Sequence, residues 1–111
     1  MEQYDIEKKL IEAVTNIEKY GVEYADAKGR SYNMQKLREV VLATEMGKVL
    51  GTNAHKNMEA LQKPEYILHL EGTAEAIAKE QKSKAIYTRW TSQVDVLKAF
   101  LYLEKQKAKI L

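Results

Sequence analysis

The chain contains no cysteine. That excludes a disulfide scaffold, a thiol nucleophile and every zinc site built on thiolates. Proline appears once, at Pro64, and glycine five times. An all-β domain needs turn residues every ~8–12 positions, and this chain lacks that punctuation. No apolar run approaches the ~18–20 residues that a membrane span requires. The opening Met1-Glu2-Gln3-Tyr4-Asp5 is acidic and leads into no apolar stretch, so no signal peptide is expected. The lack of cysteine does not locate the protein but fits a reducing cytosol, and the expected location is the cytoplasm. What is present is an ordinary apolar share. The 111 residues are 45 % hydrophobic and 31 % charged, enough for one small domain with a core.

A net charge of +2 speaks neither for nor against a polyanionic partner. Residues 1–50 hold 8 Lys/Arg against 9 Asp/Glu, a net of −1, and residues 51–111 hold 10 against 7, a net of +3. Lys105, Lys107 and Lys109 cluster at the end. Lysines there complement a helix macrodipole. The alternative is a short basic tail that touches phosphate or an acidic partner.

From Asp5 to Leu50 there is no proline, and Leu10, Ala13, Ile17, Tyr20, Tyr24, Ala27, Ser31 and Met34 follow in alternating steps of 3 and 4. Such spacing is the signature of a seam between packed helices, because 3.5 residues per turn keeps one stripe facing its partner. After Met34 the apolar pattern advances by three and resumes as Leu37, Val41, Thr44 and Lys48, which predicts local overwinding. The helix is expected over about residues 4–50. Gly21 and Gly29 are its candidate points for a kink, a break or a close helix approach, each costing ~1 kcal/mol relative to alanine.

Gly51 suits the residue just past a helix end, Thr52 or Asn53 suits the cap of a short helix over Ala54–Leu61, and Pro64 suits the first turn of the next. The connection is therefore expected over about 51–63. The last helix is expected over about 64–109, with a seam of Ile67, Leu70, Ala74, Ile77, Gln81 and Lys84. A three-residue jump then leads to Tyr87, Trp90, Val94, Leu97, Leu101 and Glu104. Val96, Phe100 and Leu103 form a second stripe beside this one. A helix apolar over that much of its circumference touches more than one neighbour. Leu37, Val40, Val41 and Leu42 widen the first helix in the same way. Val96, Phe100, Leu103 and Val40 are therefore the expected oligomer interface.

Little in the chain points to catalysis. His55 and His69 stand fourteen apart, and no His-x₃-His or Glu-x-x-His pair exists, so the metal spacing seen in helical bundles is absent. No serine is locally paired with histidine, and no glycine-rich loop follows a strand. The expectation is a non-enzyme with no metal and no cofactor. Lys79, Lys82, Lys84 and Arg89, interleaved with Tyr87 and Trp90, form a candidate single-strand nucleic-acid contact, in which bases stack on rings and phosphates meet cations. Against it, Tyr87 and Trp90 occupy seam positions, where aromatics are usually core.

The run Val40-Val41-Leu42-Ala43-Thr44-Glu45-Met46, a turn, then Tyr66, Leu70-Glu71-Gly72, Glu75-Ala76 and Arg89-Trp90 resembles small helical proteins encoded by tailed phages and prophages. The similarity spans roughly residues 35–104. Such proteins are often encoded near genes for single-strand annealing, recombination and replication, and they carry no assigned catalytic residues. The resemblance implies a phage origin, the host cytoplasm and a role beside DNA.

The expected fold is all-α. Two long antiparallel helices form a coiled-coil-like hairpin with a short helical connection, and hairpins assemble into a helical-bundle oligomer, with a dimer favoured by base rates. The expected function is that of a non-enzymatic accessory protein that acts through contacts with another protein and assists recombination or replication. The alternatives are a small stoichiometric inhibitor of a host defence system and a direct single-strand binder.

Overall fold

The structure is a computed structural model that describes residues 2–110, the Ile110 side chain excepted. Helix covers 92 % of it, and no strand forms among the described residues. The elements are α1 (Gln3–Met46), α2 (Asn53–Leu61) and α3 (Pro64–Ile110). α1 stops at Met46, four residues short of the expected end, as the backbone tightens into i+3 bonds from Lys48 to Glu45 and from Val49 to Met46. Gly51 has φ +130°, a conformation that an L side chain rarely adopts, and it turns the chain into α2. The Thr52 hydroxyl accepts from the His55 amide at 3.2 Å and caps α2, as the sequence predicts. Pro64 is the first residue of α3. Glu65 in the first turn and Lys107 and Lys109 in the last complement the macrodipole.

Neither long helix shows the expected phase jump. On α1 one series of buried and half-buried positions runs Ile6, Leu10, Ala13, Ile17, Tyr20, Tyr24, Ala27, Ser31, Met34, then Val41 and Glu45, with exposed Arg38 in the intervening seam place and half-buried Asn16, Gly21, Leu42 and Met46 beside it. On α3 the series is Tyr66, His69, Thr73, Ala76, Glu80, Ser83, Tyr87, Trp90, Val94, Leu97, Leu101 and Glu104, with half-buried Gly72, Ile86, Thr91 and Gln106 beside it. Both series keep unbroken 3,4 alternation. The expected seam residues Leu37, Thr44 and Lys48 are exposed, and so are Ile67, Leu70, Ala74, Ile77, Gln81 and Lys84. The reason is chemical. The true seam passes through hydrogen-bonded polar residues, so the nearest apolar stripe, one residue away, imitates it.

Packing divides the chain into two compact units. In the first, α1 up to Ala25 pairs with α3 from Lys82 onward. Ile6, Ala13, Val94 and Leu97 form its buried core, with Leu10, Ile17, Trp90 and Leu101 packed against them. Tyr20 stacks on Trp90 with ring centroids 6.4 Å apart, and Tyr24 meets Tyr87 at 5.8 Å. Rising numbers on one helix meet falling numbers on the other, so the pairing is antiparallel. Gly21 is no break. A Cβ there would stand 3.2 Å from the Tyr87 ring, so this glycine admits the aromatic pair. Gly29 has open space around it and does not interrupt α1.

The second unit, Asp26–Gln81, holds the rest of α1, all of α2 and the start of α3. It too is antiparallel, since Met34 lies against Gly72 and Arg38 against Tyr66. Its seam is polar. The Tyr66 hydroxyl accepts from Arg38 Nε at 3.1 Å, and His69 Nε2 donates to the Met34 carbonyl at 2.9 Å. Thr73 donates to the His69 carbonyl at 2.8 Å, buried Ser31 accepts from Gln35 at 3.0 Å, and buried Glu45 accepts from Lys48 at 2.9 Å. No buried side-chain nitrogen or oxygen lacks a partner among the described residues. That matters because a buried polar group left unpaired costs ~1–3 kcal/mol.

Candidate interaction surfaces

Heptad letters make the surfaces explicit, with the seam of each helix at a and d, edge positions at b, c, e and g, and f farthest from the seam. Setting Tyr66 of α3 at a puts Val96 and Leu103 at c and Phe100 at g. Continuing the α1 seam with Ile6 at d puts Val40 at c. None of these four is covered by its own unit. Val96 is 48 % exposed, Phe100 46 %, Leu103 53 % and Val40 58 %. The first three share one face of α3 in the first unit, and Val40 belongs to the second.

The second unit carries two further apolar edges. Leu37 (g) and Val40 (c) of α1 and Leu68 (c) of α3 occupy one, and Ile67 (b), Leu70 (e) and Ile77 (e) of α3 occupy the other. The latter row is the expected seam, displaced by one residue to the outside. Beside Leu61 and Tyr66 the unit opens a cleft of about 570 Å³, lined also by Gln35, Lys36, Arg38, Glu39, Leu42 and Asn57. Arg38 donates Nε to the Tyr66 oxygen, and that bond holds its guanidinium charged even more firmly than usual. Sequence reasoning missed this pair. Its only signal was that counting 3,4 steps past Met34 lands on Arg38.

The basic cluster divides by register. Lys82 and Arg89 both fall at c in the first unit, and Lys79 falls at g in the second. Lys84 falls at e, on the opposite side of a helix that turns about 100° per residue. All four are exposed. Tyr87 and Trp90 are half-buried against Tyr24 and Tyr20, so their faces are engaged inside the first unit. His69 is held by the Met34 carbonyl, and His55 stands exposed near the start of α2. Among the described residues no three of His, Cys, Asp and Glu gather as metal ligands, and no helix is long and apolar enough to cross a membrane.

No protein-family model matches the chain, and neither a curated protein nor a solved structure matches it.

Proposed function

We propose that the chain is a non-enzymatic interaction protein that acts by docking helical faces onto another protein. The observation that carries this reading is the Ile67–Leu70–Ile77 row. It has the spacing of a helix-packing seam, yet each residue stays at least 36 % exposed at the edge of its unit. Contiguous exposed apolar patches of this kind mark protein-binding surfaces. An amphipathic helix laid along such a row would read it as anchors at i, i+3 and i+10. The resemblance to small phage helical proteins supplies the setting, an accessory role in recombination or replication inside the host cell. The test is a photo-crosslinking residue in place of Leu70 in cells that express the full chain. The reading expects a covalent adduct with a protein other than itself, lost when Ile77 is replaced by Lys. Absence of any such adduct would contradict it.

A second reading rests on Lys82 and Arg89, which share position c of α3 in the first unit. That edge would meet a phosphate backbone without base stacking, since the nearby rings are packed on Tyr20 and Tyr24. Binding of that kind is electrostatic and falls steeply with salt. Substituting both residues by Gln would remove both the binding and its salt dependence. Unchanged binding would exclude this edge.

A further inference from the structure

We infer that the cleft between α1, α2 and the start of α3 binds a small organic acid, one carboxylate on an apolar body, with Arg38 as its anchor. The inference uses no residue of the Leu70 row and goes beyond the docking reading.

The first observation is how Arg38 is held. It stands at a seam place of α1, yet its side chain stays exposed and lines the cleft. Its Nε donates to the Tyr66 hydroxyl at 3.1 Å, and Tyr66 is itself fixed in the core at 1 % exposure. That bond sets the plane of the guanidinium. It is the one hydrogen bond the Arg38 side chain makes among the described residues, and neither ion pair there, Lys48–Glu45 or Lys107–Glu104, involves it. The two terminal nitrogens are therefore left as a fork, and a carboxylate is the acceptor whose two oxygens match that fork. A free surface arginine gives up rotamer entropy to take such a ligand. This one is ordered in advance by Tyr66, so less is lost on binding.

The second observation is what surrounds the fork. Leu42 of α1 and Leu61 of α2 give the cleft apolar walls, and half-buried Asn57 brings an amide that can both donate and accept. All three elements belong to the second unit. A volume of about 570 Å³ falls in the ordinary range of small-molecule sites, which pair apolar walls with a few placed polar groups. Charge then selects the ligand. Lys36 and Arg38 stand against Glu39, two positive charges against one negative, a net of +1. The Lys36 amine lies over the Tyr32 ring at 4.7 Å, so it supplies field rather than a contact. A monoanion balances such a cleft. A phosphate dianion would bring excess negative charge beside Glu39.

The experiment is an NMR titration of the isotope-labelled full chain with isocaproate, a branched acid whose alkyl group suits Leu42 and Leu61. Saturable shifts at Leu42, Asn57 and the Arg38 Nε–H are expected, with a Kd of about 1 mM. Isocaproamide, the uncharged amide of the same acid, is expected to bind at least about tenfold more weakly. Arg38→Gln should weaken the acid by at least about tenfold. Glu39→Gln, an exposed change that removes the one negative wall, should tighten it, and it serves as the test if Arg38→Gln loses its helical signal. Absence of saturable shifts, equal binding of the amide, unchanged binding in a folded Arg38→Gln or weaker binding in Glu39→Gln would each overturn the inference. So would shifts seen only with a peptide that ends in leucine, which would give the cleft to a protein chain. The Leu70 crosslink would survive any of these results, so the two readings fail separately.

Discussion

Tyr66 carries two jobs at one position. Its ring is 1 % exposed, and its hydroxyl accepts from Arg38. Tyr66→Phe keeps the ring and removes the acceptor, and it is expected to cost about 1 kcal/mol in urea denaturation. Tyr66→Ala removes the ring too and is expected to cost about 3–5 kcal/mol. Equal effects would show that the ring contributes nothing. Glu45 and Lys48 make a second local pair, and the hydrogen bond to Glu45, followed by its charge, raises the Lys48 pKa. A raised folded-state value means that the pair stabilises the fold below the ordinary lysine pKa of 10.5 and fades as pH rises beyond it. Because Lys48 is largely exposed, the effect is small. The melting difference between wild type and Lys48→Met should hold steady near neutrality and close above pH 10.5. A difference that grew with pH would reverse the assignment.

The existence of the helices and the starts of α2 and α3 were legible in the sequence, because Thr52, Pro64 and the lack of other proline are local signals, whereas the end of α1 at Met46 was not. The seam was legible in α1 up to Met34 and in α3 from Tyr87, where its residues are apolar or aromatic. It was misread in the rest of the second unit, past Met34 on α1 and at the start of α3. Arg38, Glu45, His69 and Thr73 pair their polar atoms by hydrogen bonds that no spacing rule reveals. Meanwhile Ile67, Leu70 and Ile77 offered an apolar stripe one residue away. The exposed Val96, Phe100 and Leu103 face was legible because it exceeded what one seam could use. The corrected register makes a sharp comparison. Ala76→Asp puts a charge into the seam and is expected to cost about 2–3 kcal/mol in the isolated chain. Ile77→Lys, next door, should change stability by less than about 0.5 kcal/mol. The reverse order would restore the displaced seam. The glycines divide in the same way. Gly29→Ala meets nothing within 4 Å and should stabilise α1 by about 0.5–1 kcal/mol. Gly21→Ala, crowding Tyr87 at 3.2 Å, should gain less or lose.

At the scale of the molecule, a thin set of buried residues is matched with a large apolar exterior. Among the described residues, Tyr66, Ile6 and Leu97 are the largest apolar side chains fully out of water, whereas Leu37, Val40, Leu68, Phe100 and Leu103 are all exposed. Net stabilities are small differences between large terms, so the assembly expected from the sequence would stabilise the chain by covering this exterior. The most direct test is the melting temperature of the wild-type chain across a hundredfold range of its own concentration. Linked assembly predicts a rise of about 5 °C from the lowest concentration to the highest. A melting temperature that did not move would contradict the account, because the apolar exterior would then be stable without a second copy.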